Sequence, residues 1–164
     1  MLTTKTRAGK RFSLFLAIVL IAGCTPAGPR ALLNGQKLLE EGKYADAVEK
    51  LKTATSLLNT NAQAWNYLGL AYHGLGQSSN AVHAYQQALA LDRNLVETRY
   101  NLGCLYLEQN KLDAAKNELT TFTLRKPNSV DGLLKLGTAQ LRAKELGNAE
   151  KSFSDARKIN QQSG

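Results

Sequence analysis

Trp65, Leu68, Gly69 and Tyr72 fall at i, i+3, i+4 and i+7, the spacing that gathers residues on one face of a helix. Ala81, Tyr85 and Ala88, at i, i+4 and i+7, predict a second helix with a small-large-small stripe, whose small members let two helices pack closely. The pattern returns along the chain. Gly35, Gly69, Gly103 and Gly137 recur at a spacing of 34, as do Ala47, Ala81, Ala115 and Ala149, and the bulky Leu51, Tyr85, Leu119 and Phe153. A fourth column reads Ala54, Ala88, Phe122, Ala156. A mid-helix glycine costs about 1 kcal/mol relative to alanine, so glycine at four equivalent places implies that another helix approaches closely there. Gly42-Lys43, Gly76-Gln77 and Asn110-Lys111 punctuate the helix pairs, with the less turn-like Lys144-Glu145 in the last. Few β-branched residues and no alternating apolar run argue against a sheet.

A period of 34 carrying Trp65, Leu68, Gly69, Tyr72, Ala81, Tyr85 and Ala88 resembles the tetratricopeptide repeat. The resemblance implies an all-α fold: an α-solenoid of four tandem helix-turn-helix units, residues 28–61, 62–95, 96–129 and 130–163, coiled into a right-handed superhelix with a concave groove. Departures from the pattern have local consequences. The first unit has Ala31 and Asn34 where the second has Trp65 and Leu68, which suits a terminal unit with a polar outer side. Only the third keeps a proline near its end, Pro127. Phe122 in a small-residue column, and Arg125 in the aliphatic column of Leu57, Leu91 and Ile159, predict repacking around the third unit. The last helix is either solvated by Lys151, Ser154, Asp155 and Lys158 or covered by a partner or second copy.

In this family the groove is lined mainly by first helices. Carried onto this chain, the lining becomes Leu32, Gln36 and Leu39 in the first unit, Asn66, Leu70 and His73 in the second, Tyr100, Cys104 and Leu107 in the third, and Leu134, Thr138 and Leu141 in the fourth. Each set keeps i, i+4, i+7 spacing and so forms a stripe. The stripe is more apolar than charged, which suits an extended peptide or an amphipathic helix of a protein partner. Several of its leucines have a second reading as core between units. The paired lysines and asparagines by which some family members clamp a terminal carboxylate are missing.

Signals for catalysis or a cofactor are poor. His73 and His83 lie ten apart on different helices, without the spacing of a helical metal pair. Cys104 has no local Cys-x-x-Cys partner, so a thiol-dependent enzyme built on it is a minor alternative. No metal or cofactor is expected, and the glycines follow the packing column rather than a phosphate loop.

At the other end, Lys5, Arg7, Lys10 and Arg11 precede an apolar stretch from Phe12 to Ala22, the layout of an export signal. The stretch is too short for a spanning helix, which needs roughly 20 residues. Ile21-Ala22-Gly23-Cys24 then resembles the lipobox of bacterial lipoproteins. That resemblance implies a signal peptide over residues 1–23, lipid on Cys24 and a linker over 24–30, which contains Pro26, Gly28 and Pro29. Thr25, in place of the aspartate of inner-membrane retention, favours the periplasmic face of the outer membrane in a cell with two membranes.

Composition changes the picture once. A formal charge of +8 invites a nucleic-acid reading, but four of the basic residues belong to the export segment. The rest leaves 17 basic against 13 acidic, or +4, spread as +1, 0, +1 and +2 over the units. That excess is too diffuse for a polyanion site. The expectation is a lipid-anchored scaffold of the bacterial envelope that binds a protein, with no nucleic acid and no small-molecule substrate. It resembles the pilotin-type factors of type IV pilus or secretin assembly, with adaptors for cell-wall enzymes or outer-membrane protein assembly as alternatives.

Overall fold

A computed structural model describes residues 26–162. Among them are eight α-helices and no strand: α1 (Ala27–Glu40), α2 (Tyr44–Leu57), α3 (Ala62–Gly74), α4 (Ser78–Leu91), α5 (Val96–Glu108), α6 (Leu112–Arg125), α7 (Val130–Arg142) and α8 (Leu146–Gln162). They form four antiparallel pairs stacked as an α-solenoid. The first helices α3, α5 and α7 begin at 62, 96 and 130, one period apart. Asn61 and Ser129 cap α3 and α7, their side chains accepting from the backbone N–H groups of Ala64 at 2.9 Å and Gly132 at 3.1 Å.

The turn inside each pair repeats in backbone detail. Gly42, Gly76, Asn110 and Lys144 all adopt positive φ, at 70°, 70°, 57° and 63°. The following N–H reaches back over the turn in every unit, from Lys43 to the Leu38 carbonyl at 2.8 Å and from Glu145 to that of Gln140 at 2.9 Å, the bond that satisfies a helix end through a left-handed residue. Lys144 holds this conformation against its own Cβ, at a cost of about 1–2 kcal/mol. Glycine there relieves the strain but loses about 0.4–1 kcal/mol to greater freedom of the unfolded chain. Lys144→Gly is therefore expected to raise stability by about 0.5–1 kcal/mol in urea denaturation. Asn110→Gly should gain less, because asparagine tolerates the conformation. An unchanged or lowered midpoint for Lys144→Gly would contradict the strain.

The glycine column is explained by the residue facing it. A Cβ on Gly35 would lie 2.5 Å from Leu51 Cγ, on Gly69 2.5 Å from Tyr85 Cδ1, on Gly103 2.7 Å from Leu119 Cγ, and on Gly137 2.7 Å from Phe153 Cε1. The large residue of each second helix thus occupies the missing side chain of its own first helix. Phe122 is accommodated by the same device between units: its ring fills the space that a side chain at Gly132 would need. The counterparts of Gly132, Ala64 and Thr98, stand where the facing residues are Ala54 and Ala88, so a large-for-small change on α6 is matched by a glycine on α7.

The core runs along the junctions. Ala47, Val48 and Leu51 pack with Leu68 and Ala71, Tyr85 and Leu89 with Leu102 and Leu105, and Leu119 and Leu107 with Leu136 and Ala139. Each cluster ties one unit to the first helix of the next. Successive first helices also touch one another, α1 to α3, α3 to α5 and α5 to α7, whereas successive second helices do not. The row whose members touch is the row on the shorter arc, so first helices line the inner, concave side.

Both ends of this stack replace buried residues with polar ones. Columns that are buried at Ala64, Thr98 and Gly132, at Leu68, Leu102 and Leu136, and at Ala71, Leu105 and Ala139 carry exposed Arg30, Asn34 and Lys37 on α1. The column buried at Thr55, Leu89 and Thr123 carries exposed Arg157 on α8, and exposed Glu150 stands where Val48 is buried. The residues that solvate the last unit's second helix are thus Glu150 and Arg157 in the stacking columns. Among those expected from the sequence, Lys151 shares its column with exposed Glu49, His83 and Asn117.

Candidate protein-binding groove

Ten of the twelve expected lining residues have accessible surface on the first helices. Leu32, Gln36 and Leu39 on α1, Leu70 and His73 on α3, Tyr100 and Cys104 on α5, and Thr138 on α7 are half-buried. Leu134 and Leu141 on α7 are 42% and 49% exposed. The other two, Asn66 and Leu107, are buried at 5% and 6% and belong to the contact between units. Asn66 accepts a hydrogen bond from Thr98 Oγ1 at 2.8 Å across α3 and α5, and Leu107 packs with Leu136 and Ala139 of the next unit. The physical reason is shared geometry: these columns border both the groove and the following first helix. Their counterparts Leu134 and Leu141 are open because α7 is the last first helix among the described residues.

Leu39, Leu70 and His73 come together. With Tyr44 and Gly74 they line a cavity of about 420 Å³ on the inner side. Tyr44 and Gly74 were not expected there. A Cβ on Gly74 would lie 2.5 Å from Tyr44 Cδ1, so the glycine is what admits the ring. At the rim, His73 Nε2 is 3.2 Å from Glu108 Oε2. Further along, the Tyr100 ring rests on Phe122, centroids 5.0 Å apart, with Cys104 one turn later on the same helix. Burial pushes the Tyr100 phenol up to about 12, with the neighbouring Cys104 adding to the rise. Burial also raises the Cys104 thiol, against the lowering effect of the neighbouring Tyr100 side chain. At neutral pH the sulfur is therefore held as the thiol, which is the weaker nucleophile.

On the outer side the furrows between second helices alternate. The furrow floored by Trp65, Leu68 and Tyr72, about 320 Å³, and that floored by Leu133, Leu136 and Gln140, about 530 Å³, are equivalent at a distance of two units. Between them the same place is filled by the Arg99–Glu118 ion pair at 2.8 Å and by Gln86 donating to the Tyr106 hydroxyl at 2.9 Å. No group of three or more His, Cys, Asp or Glu able to hold a metal occurs among the described residues. None of the described helices is long and apolar enough to cross a membrane. Cys24 lies outside the described residues.

Family models described as TPR repeat and tetratricopeptide repeat match residues 35–76, 62–95 and 100–163. These residues are tetratricopeptide (TPR) repeats. A crystal structure of MamA superposes on this TPR chain with a TM-score of 0.80 at 26% identity, covering 90% of this chain and 85% of that one. MamA from Desulfovibrio magneticus RS-1 superposes with a TM-score of 0.79 at 19% identity, over 84% and 77% of the two chains, which shows the fold alone. In sequence the chain is 28% identical over 143 residues to cilia- and flagella-associated protein 70 of Homo sapiens, covering 84% of this chain. It is 32% identical over 91 residues to the peroxisomal targeting signal receptor of Candida albicans, covering 54%. The chain spans only 13% and 15% of the length of these two proteins.

Proposed function

We propose that this TPR scaffold is held in the bacterial envelope by lipid on Cys24 and binds a protein partner along its inner face, without chemistry of its own. The observation that carries the binding reading is the inner row itself: a socket at Leu39 and Leu70, then Tyr100, then exposed Leu134 and Leu141, all on first helices. Apolar side chains spaced along a concave support are what a peptide or helix of another protein can bury. One of the relatives carries a name of the same kind, a receptor for a targeting signal. The envelope address rests on the basic, apolar and small-residue succession ending at Cys24. The process we favour is assembly of a type IV pilus or secretin, on the layout of a short array directly behind a lipobox.

The test uses a photoreactive residue at Leu70 or Tyr100 on the inner side and at Leu124 on the outer side, in intact cells. One envelope protein is expected to be captured from both inner positions and not from Leu124. Capture from Leu124 alone would place binding on the outer side and reject the proposal.

A further inference from the structure

We infer that the socket at Leu39, Tyr44, Leu70, His73 and Gly74 is the anchoring subsite of the inner face, and that it takes a large apolar side chain of an extended partner segment in which the adjoining residue is Lys or Arg. This rests on the reading of the inner face as the binding surface, and narrows that reading to a class of sequence.

The socket is specific to one junction. At the start of the second helix, where Tyr44 stands, the later units have Ser78, Leu112 and Leu146. At the end of the first helix, where Gly74 stands, the other units have Glu40, Glu108 and Arg142. Of the four units, the first and second alone bring a ring in the one column against a glycine in the other, and a Cβ at that glycine would overlap the ring. The exchange removes a charged side chain from the mouth of the groove and puts an aromatic wall, 38% exposed, beside Leu39 and Leu70. What results is an open, largely apolar recess with a single polar ring, His73, at its edge.

Charge around the recess selects the neighbour of the anchor. Glu108, its side chain 60% exposed, stands 3.2 Å from His73, and exposed Glu40 follows Leu39 directly. Among the described residues no lysine or arginine lines the socket; Lys43 and Lys37 are engaged with Glu41, and Arg142, beyond Glu108, donates to the Leu107 carbonyl and the Asn110 side chain. A cation next to the anchor meets carboxylates here, whereas an acidic residue would meet like charge. The exposed Leu134 and Leu141 supply a second apolar contact two first helices further on. At about 8–10 Å per packed helix and roughly 3.3 Å per extended residue, that contact falls about five or six residues from the anchor.

The full chain is panned against a displayed library of random peptides long enough to span the inner face. Selected peptides are then measured by fluorescence anisotropy against the wild type and Leu70→Glu, Glu108→Lys, Leu141→Glu and Leu124→Glu. The expected consensus is a large apolar residue beside Lys or Arg, with affinity falling about tenfold or more for Leu70→Glu and Glu108→Lys and unchanged for Leu124→Glu. A peptide with its basic residue changed to Glu should recover affinity on Glu108→Lys. Because Glu108 is exposed, its variant tests the socket even if Leu70→Glu loses the fold. Binding that weakens with Leu141→Glu but ignores both socket variants overturns the anchor assignment and leaves the inner face standing. Binding lost only with Leu124→Glu, or no selected peptide at all, overturns both.

Discussion

Replacing Tyr85 by alanine is expected to remove about 3–5 kcal/mol of stability, the range for deleting a buried aromatic ring, from a chain whose whole stability is of order 5–15 kcal/mol. Tyr85 has no exposed surface. Its ring fills the place of a side chain at Gly69 within its own unit and packs with Leu102 and Leu105 of the next, so truncation opens a cavity on both sides of one junction. In a solenoid the units are coupled only through such junctions. The variant should therefore unfold at lower urea and in two steps, with the halves on either side melting apart. Tyr85→Phe should do the opposite. The hydroxyl is buried with no hydrogen-bond partner among the described residues, and burial holds its pKa above the ordinary value, with Cys104 and Glu108 adding to the rise. Deleting an unsatisfied buried polar group while keeping the ring recovers about 1 kcal/mol of desolvation cost. A phenylalanine variant less stable than the wild type would show that the hydroxyl is satisfied after all, and an alanine variant within about 1 kcal/mol would remove Tyr85 as the tie.

Cys24→Ser is expected to abolish fatty-acid labelling of the chain and to shift it out of the lipid-modified membrane fraction, as precursor or as released protein. The size of the effect follows from chain counting. One acyl chain gives only marginal, reversible binding, and each buried methylene adds about 0.8 kcal/mol, so two or three chains hold a protein essentially permanently. No described helix can substitute by spanning the bilayer. Labelling that persists in Cys24→Ser would assign the lipid elsewhere or remove the anchor from the proposal. Changes at Leu70 or Glu108 should leave the labelling untouched, which separates the anchoring function from the binding one.

The repeat could be read from the sequence because its signals are local and multiplied by four. The columns of Gly69 and Tyr85 predict both the helix pair and its close approach, and the turn at Lys144 was found despite unfavourable chemistry, by position alone. The groove was half legible. Spacing puts Asn66, Leu70 and His73 on one face, but cannot tell that the next first helix covers Asn66 and leaves Leu70 open, since one face serves stacking and binding together. Tyr44 with Gly74, and Phe122 with Gly132, were invisible for another reason. Each is a compensating pair across elements, where a large residue in one column is admissible because glycine stands in another, and neither member is unusual taken singly. The alternation of open and filled outer furrows likewise depends on Arg99 finding Glu118, 19 residues later.

The exposed Arg30, Asn34 and Lys37 at one end of the described stack and Arg157 and Glu150 at the other bear on head-to-tail contact between copies of the chain. The stack repeats one contact three times, and a contact of that kind joined between molecules, head to tail, has no closing symmetry and would grow into fibres. Such a joint would set Arg30, Asn34 and Lys37 where each junction inside the chain sets a small or apolar side chain, with Glu150 and Arg157 on its other side. The contact that stacks the four units is therefore not reproduced by the side chains at the two ends of the described stack.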